Sequence, residues 1–382
     1  MLYPYIIQKL IISFKALLRF DPPYEFEKKL SYDKITMKTI AEIEDNLKKS
    51  LLTKYTNGNV RWNDIVERTE VGNSISNQIN TVFPLGKDPR FATQLESLII
   101  KGISSFPDKK LCKNDIEEIL QYLETKKVFP AHVAHTSVKK PCSINPLNNG
   151  INPFGSYDIQ TILGSRVLAK VIGDEEIHSL VGNYFGCWPT LANVNLFWSF
   201  VRPNALQLGP QNFHRDADDF KQVNVFIPLT ETGKNDGGYC HIKHSHNLQQ
   251  LSENIDQNRI NTLPEKLNPF GRPFTVADLF SLPVNGYGFT DLYENLLSKH
   301  VQSFFGPPGT IRCADGYGLH RGVVPKKRDR LLFWASYTLT KAPTENLRIP
   351  YHKRIAYSKV RQGIKDTDIN KYVLRKIIAF NQ

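Results

Sequence analysis

Residues 213–230 read FHRDADDFKQVNVFIPLT. The first half of this stretch sets a chemistry and the second half sets a fold. Val223–Leu229 is short and rich in β-branched and aromatic residues, which is the composition of a strand. Along an extended backbone, side chains i and i+2 leave the same face, so His214 and Asp216 can reach one point. Arg215 then points the other way and is free to be structural.

The same strand grammar recurs at Leu196–Val201 and Leu331–Leu339, each bounded by clusters of Pro, Gly and Asn. Short strands separated by such turns predict a barrel or jelly roll rather than a parallel α/β sheet. Helical patterns precede them. Ile116, Ile119, Leu120 and Leu123 share one face of a helix starting near Lys113–Asp115, and helical stretches are expected at Ile159–Ile172 and Glu175–Phe185. Leu98–Ile103 is a short apolar run, and Pro141–Gly155 is a loop rich in Pro, Asn and Gly. The predicted class is therefore α+β, in three parts: a helical N-terminal extension over 1–91, a catalytic body over 92–345, and a basic tail over 346–382. Between His246 and His320 lies an insertion with few strand signals, punctuated by Pro264, Pro269, Gly271, Pro273, Pro283 and Gly286. Residues 247–300 read as a lid or inserted subdomain.

A metal held by His214 and Asp216 needs a third ligand from a distant strand. His320 fits, flanked by the turn residues Asp315-Gly316-Tyr317-Gly318 before it and Gly322 and Pro325 after it. Two imidazoles and one carboxylate form the facial triad of non-haem iron(II) oxygenases, which leaves positions open for a co-substrate and O2. Arg330 opens the apolar run Leu331-Leu332-Phe333-Trp334. A guanidinium at the start of a core strand needs an anionic partner, and the distal carboxylate of 2-oxoglutarate would supply one in a bidentate pair. Arg328 competes for that role but lies in the preceding turn, where solvent reaches it. His-Arg-Asp also opens the catalytic loop of protein kinases, but that pattern wants Asn where this chain has Lys221, and no Gly-rich loop or D-F-G element accompanies it.

Other groups weigh less. His241, His244 and His246 read as surface or supporting histidines, and His132 and His135 as solvated members of a polar loop. Trp188, Trp198 and Trp334 read as core. Asp218, Asp219 and Lys221 follow the metal strand and either face a substrate mouth or are ordinary turn charges. Cys112, Cys142, Cys187, Cys240 and Cys313 are scattered, which argues against a disulfide framework or a structural zinc site and for a reducing cytoplasm.

Two blocks carry a family resemblance. Phe213–Lys221, Val225–Thr230, Asn235, Gly237 and Ser245-His246 form the first; Gly309-Thr310, Asp315, Gly318–Gly322, Pro325 and Arg330–Leu332 form the second. Together they resemble the phytanoyl-CoA dioxygenase family over roughly residues 92–341. The resemblance implies a double-stranded β-helix, a jelly-roll or cupin-like core with flanking helices. It also implies iron(II) on His214, Asp216 and His320, 2-oxoglutarate on Arg330, and hydroxylation of an unactivated C–H bond with succinate and CO2 as co-products. Related halogenases replace the carboxylate ligand by a small residue, so Asp216 favours hydroxylation. The chain departs from the family at Lys243-His244, where many members have Gly in the second position, and this puts the local turn in question.

The formal net charge of +12 implies attraction to something acidic without choosing what. In residues 1–20, Ile6, Ile7, Leu10, Ile11, Phe14, Leu17 and Leu18 make one apolar stripe flanked by Lys9, Lys15 and Arg19. It packs on the core or lies on an anionic membrane as a peripheral helix. Neither a membrane span nor a signal peptide is expected there, and Ala41–Tyr55 reads as a second, more polar helix. The tail sets nine Lys/Arg against Asp366 and Asp368. Two readings of function follow. One is a dioxygenase acting on a small molecule or a glycan or lipid precursor. The other is a catalytically silent jelly roll binding an acidic surface, membrane or glycan, through its basic termini. A nucleic-acid partner is disfavoured, because the basic residues are not interleaved with aromatics near the site.

Overall fold

The computed structural model describes residues 62–134, 137, 139–145, 152–202, 207, 209–216, 219–280, 282, 289–339 and 354–380, together with Glu42. These residues belong to one compact unit, Tyr32–Gln382. The helices expected in residues 1–20 and 41–55 lie outside the described residues, as does His135.

In chain order, α1 (Trp62–Val82) and α2 (Ala92–Lys101) lead into β1 (Ile103–Lys110) and α3 (Lys113–Leu123). Next come β2 (Phe154–Tyr157), α4 (Ile159–Gly164), α5 (Arg166–Ile172) and α6 (Glu175–Phe185). The strands β3 (Thr190–Ser199), β4 (Gln222–Pro228) and β5 (Tyr239–Ile242) precede four helices: α7 (Leu248–Asn254), α8 (Gln257–Asn261), α9 (Val276–Phe280) and α10 (Thr290–Leu297). The chain continues with β6 (Val301–Phe304), β7 (Thr310–Asp315), β8 (His320–Gly322) and β9 (Arg330–Thr338), and ends with β10 (Ile355–Ala356), α11 (Asp368–Val373) and β11 (Ile378–Ala379).

Six strands form an antiparallel sheet in the order β1-β7-β4-β9-β3-β2, and three form a second in the order β6-β5-β8. Their alternating side chains explain how they stack. Val223, Val225 and Ile227 of β4 and Leu331, Phe333, Ala335 and Tyr337 of β9 enter a large core shared with α1 and α3–α6. The intervening residues turn inward. Phe154, Phe197, Phe226 and Leu332 of the larger sheet meet Tyr239 and Phe304 of the smaller one in a single apolar cluster. The two sheets therefore face each other, and no hydrogen bonding closes them into a barrel among the described residues.

Local chemistry sets several boundaries. Asp174 accepts from the amides of Glu176 and Ile177 at the start of α6, and Gly186 ends that helix with φ 81. The stretch Ile159–Ile172 is two helices rather than one, because Ser165 leaves helical geometry and caps α5 by accepting from the Leu168 amide. The described residues of 247–300 include the short helices α7–α10, whose apolar side chains form a second cluster with Phe213, Ile242 and Leu319. In residues 354–380 the apolar side chains between the basic ones face inward: Ile355, Val360, Ile364, Tyr372, Val373, Leu374, Ile377 and Ile378 all join the large core. Arg375 is buried beside them, its Nη1 donating to the Tyr372 carbonyl, so this segment is folded onto the body. Ile75, Ile79 and Phe83 bring the α1 region into the same core. No helix among the described residues is long and apolar enough to cross a membrane.

The turn at Lys243-His244 keeps the geometry that glycine would give, since His244 has φ 68, a left-handed conformation that costs a β-carbon residue about 1 kcal/mol. Its Nδ1 donates to the Ile100 carbonyl at 2.8 Å and holds it there. His244→Gly and His244→Ala both lose that hydrogen bond but differ in strain. The glycine variant is expected to be the more stable of the two by about 1 kcal/mol in denaturant unfolding.

Candidate metal centre

His214 and His320 face each other as an antiparallel pair: each backbone N–H donates to the other's carbonyl, at 3.0 and 2.9 Å. This exchange places two side chains abreast on one face, and the imidazole centroids are 4.3 Å apart. The extended stretch inferred at 214–216 is reduced to this one bridge, yet its two-residue alternation survives. Asp216 is anchored by its amide to the Gly316 carbonyl at 2.7 Å and turns to the same side as His214.

The backbone also orients both rings. His214 Nδ1 donates to the Asn212 carbonyl and His320 Nδ1 donates to the Gly318 carbonyl, both at 2.8 Å. With Nδ1 occupied, each Nε2 is aimed at the carboxylate: His214 Nε2 is 3.6 Å from Asp216 Oδ1, and His320 Nε2 is 3.4 Å from Oδ2. Asn224 of β4 donates to Oδ2 at 2.6 Å. One ligand atom from each of His214, Asp216 and His320 lies within 4.8 Å of the others, so the three can hold a metal ion. Tyr239 stacks on the far side of His320 at 5.5 Å, and its hydroxyl pairs with His241 Nδ1. Gly318 must lack a side chain, because a β-carbon there would collide with the His241 ring.

Burial, reinforced by the neighbouring His320, pushes the His214 pKa down to about 4, leaving its ring neutral. At His320 burial acts the same way but the Asp216 carboxylate outweighs it, and the pKa rises above the ordinary imidazole value. Burial would raise the Asp216 pKa, but His320 and His214 hold it below the usual carboxylate range. A metal must therefore displace a proton from His320 and none from Asp216. Iron(II) affinity is expected to fall as pH drops below the His320 pKa, roughly tenfold per unit, and to level off above it. Anaerobic iron(II) titrations across that range test the slope. A pH-independent affinity would mean that His320 is not a ligand.

Arg215, between two of these groups, points away and is buried. Its Nη1 donates to the carbonyls of Ser245 and Tyr317. Arg330, 4% exposed at the start of β9, donates through Nη2 to Ser199 Oγ at 3.1 Å. Its Nε and Nη1 are buried with no hydrogen-bond partner. Burial lowers its pKa to about 10. Gly322, two residues beyond His320, lies beside the guanidinium, where a β-carbon would be 3.4 Å from Nη2. Arg328, by contrast, is half exposed and ion-paired with Glu231 and Asp236.

The three clustered histidines do not reach the triad's open side. His244 and His246 bond the carbonyls of Ile100 and Ile99, and His241 is fully buried under Gly318. Asp219 is buried against its own turn, accepting from the Phe220 amide, and Lys221 Nζ donates to Ser76 Oγ and the Phe185 carbonyl; Asp218 lies outside the described residues. Trp188 is buried in the large core, whereas Trp198 and Trp334 are only partly buried beside the two cores. The solvated reading of His132 is corrected. Its half-buried ring is wedged between Phe154 and Phe197, at centroid distances of 4.9 and 4.4 Å. Burial and the Arg330 charge push its pKa down to about 4. Nothing in the sequence around position 132 signals this, because the two phenylalanines come from distant strands.

The inserted helices are tied to the residues that could hold a metal. Phe213 and Leu319, each immediately before a histidine of the triad, enter the apolar cluster of α7–α10. Thr290 Oγ1 accepts from the Phe213 amide at 3.1 Å, and Arg321 pairs with Glu294 of α10 at 2.5 Å.

No family model matches the chain, and no curated protein matches its sequence. Several solved structures are similar at a distance. One is the non-heme alpha ketoglutarate dependent epimerase SnoN from nogalamycin biosynthesis, with TM-score 0.43 and 12% identity over 70% of this chain and 91% of that one. Another is HygX from Streptomyces hygroscopicus with nickel and 2-oxoglutarate bound, with TM-score 0.39 and 15% identity over 67% and 93%. A third is AviO1 from Streptomyces viridochromogenes Tue57, with TM-score 0.37 and 13% identity over 68% and 99%. Likenesses this distant assign neither a family nor a reaction to the chain.

Proposed function

We propose that this protein is a non-haem iron(II)- and 2-oxoglutarate-dependent dioxygenase. In this reading it hydroxylates an unactivated C–H bond of a small molecule or of a glycan or lipid precursor. One observation carries it: a His-Asp-His cluster with converging ligand atoms and both histidines buried lies near a buried arginine that has no anionic partner among the described residues. The two facing sheets are then the halves of a double-stranded β-helix, with residues 92–345 as the catalytic domain.

The residues fit the group they would hold. Two nitrogen ligands and one carboxylate suit iron(II) and leave coordination positions free. Both imidazoles are fixed in the tautomer that frees Nε2. Arg330 keeps unpaired N–H donors at Nε and at Nη1, each on an edge of the guanidinium that a carboxylate can engage. Bound iron(II) supplies O2 activation coupled to decarboxylation of 2-oxoglutarate to succinate.

The chain's own work is orientation and exclusion of water. His214, Asp216 and His320 fix the direction of the reacting centre. Asn224 prevents the carboxylate from rotating. Arg330 and Ser199 hold the co-substrate's far end. Residues 247–300 act as a lid whose closure excludes water, coupled to the site through Phe213, Leu319 and Arg321. The five free thiols suit a cytoplasmic setting. A silent binding module gives no reason to keep Arg330, because a buried unpaired charge costs stability.

The test is anaerobic titration of the protein with iron(II) and 2-oxoglutarate, followed by a screen for succinate release. A saturable visible charge-transfer band is the expected result. Well-folded protein that gives no band at saturating metal and 2-oxoglutarate would overturn the assignment.

A further inference from the structure

We propose that His132 binds the co-substrate by donating its imidazole N–H to the distal carboxylate of 2-oxoglutarate, beside Arg330. This rests on the oxygenase reading of the site and adds to it a residue from a loop outside the strands.

The inner face of β3 presents Asn195, Phe197 and Ser199, spaced two residues apart. Each has a distinct task. Ser199 accepts from Arg330 at 3.1 Å. Phe197 packs against the His132 ring at 4.4 Å, and Phe154 of β2 packs on it edge-on at 4.9 Å while also touching Phe197 at 6.2 Å. Asn195 Nδ2 donates to the His132 carbonyl at 2.8 Å, which fixes the loop to the strand. The imidazole is thus held about one two-residue strand step, roughly 7 Å along β3, from the point where Arg330 is anchored. That step runs toward the end of β9 that lies over Asn224, the residue bonded to Asp216. His132 therefore flanks the path from the guanidinium to the triad.

What the imidazole lacks is as informative as what holds it. Two aromatic rings and a backbone bond fix it, yet no described residue bonds either ring nitrogen. Arg330 likewise has Nε and Nη1 unpaired. Two donors from different segments, set against Phe197 and Ser199 of the same strand and bonded at these nitrogens by no acceptor among the described residues, are suited to an anion with two oxygens.

Packing alone would also conserve the ring's position, so the test separates donor from filler. His132→Phe keeps an aromatic ring between Phe154 and Phe197 and removes the N–H. His132→Gln restores a donor. Affinities for 2-oxoglutarate and for 2-oxobutyrate, which lacks the distal carboxylate, are measured calorimetrically on anaerobic protein loaded with iron(II). His132→Phe is expected to weaken 2-oxoglutarate roughly tenfold or more, the effect of losing a hydrogen bond to a charged group. His132→Gln should recover part of the loss, and 2-oxobutyrate should be indifferent to both changes. Wild-type affinity in His132→Phe, or equal losses for the two acids, would overturn the assignment. A wild type that binds iron(II) but neither acid would instead overturn the oxygenase reading on which this rests.

Discussion

Asp216→Ala is expected to weaken iron(II) binding by about a thousandfold or more and to abolish succinate formation. A thousandfold corresponds to about 4 kcal/mol. Asp216 supplies the only carboxylate in the cluster, and the two ligands left behind are neutral imidazoles on one side of the ion. The loss is chiefly one of charge rather than shape, and a second variant shows this. Asp216→Asn keeps the side-chain volume and a carbonyl oxygen for Asn224, yet it should bind iron(II) nearly as poorly as the alanine variant. Asn224→Ala spares the ligand and removes only the bond that orients it, at 2.6 Å. A supporting residue of that kind changes metal affinity by about 10- to 100-fold, so this variant should fall between wild type and Asp216→Asn. The ordering is measured by anaerobic iron(II) titration with circular dichroism as a check on folding. Succinate formation at the wild-type rate in Asp216→Ala would remove Asp216 from the centre altogether.

The legible features were those that a single segment carries by itself. The spacing of His214 and Asp216 needs only an extended backbone, and the structure keeps both on one side although only a bridge remains of the strand. Arg330 could be flagged because a permanent charge opening the run Leu331–Trp334 is anomalous wherever that run packs. Features set by distant partners were not legible. His132 looked like a solvated loop residue because its burial is decided by Phe154 and Phe197, which reach it only after β2 pairs with β3. β1 was missed because Pro107, Asp108 and Lys109 break strand grammar. An edge strand tolerates them, and its pairing with β7 shifts register between Phe106 and Lys110. The helices of 247–300 run five to eight residues, too short to display a helical period. In residues 354–380 the high density of basic residues hid an apolar set that the core absorbs.

Arg330→Met is expected to make the ligand-free protein more stable while costing it 2-oxoglutarate. In wild type the guanidinium is buried and, among the described residues, hydrogen-bonded only to Ser199, with Nε and Nη1 unpaired. That burial is unfavourable for the charged form, as the depressed pKa of about 10 records. A methionine of similar length fills the same space without the desolvation cost. Replacing buried charge by apolar side chains of like volume commonly stabilises a fold by about 1–4 kcal/mol. Binding moves the opposite way. A carboxylate bound to the guanidinium forms a buried charge pair, and truncating one partner of such a pair costs about 2–5 kcal/mol. The affinity for 2-oxoglutarate should therefore drop by roughly 30- to several-thousandfold. The two effects separate in one thermal denaturation experiment on metal-loaded anaerobic protein. Wild type should start lower and rise with added 2-oxoglutarate, because a ligand that binds only the folded state stabilises it by mass action. Arg330→Met should start higher and stay unmoved. Arg330→Lys tests the fork geometry: it keeps the charge but offers no planar pair of donors, so it should show neither the higher starting stability nor full binding. If Arg330→Met instead unfolded at a lower temperature and still responded to 2-oxoglutarate, Arg330 would be a structural residue.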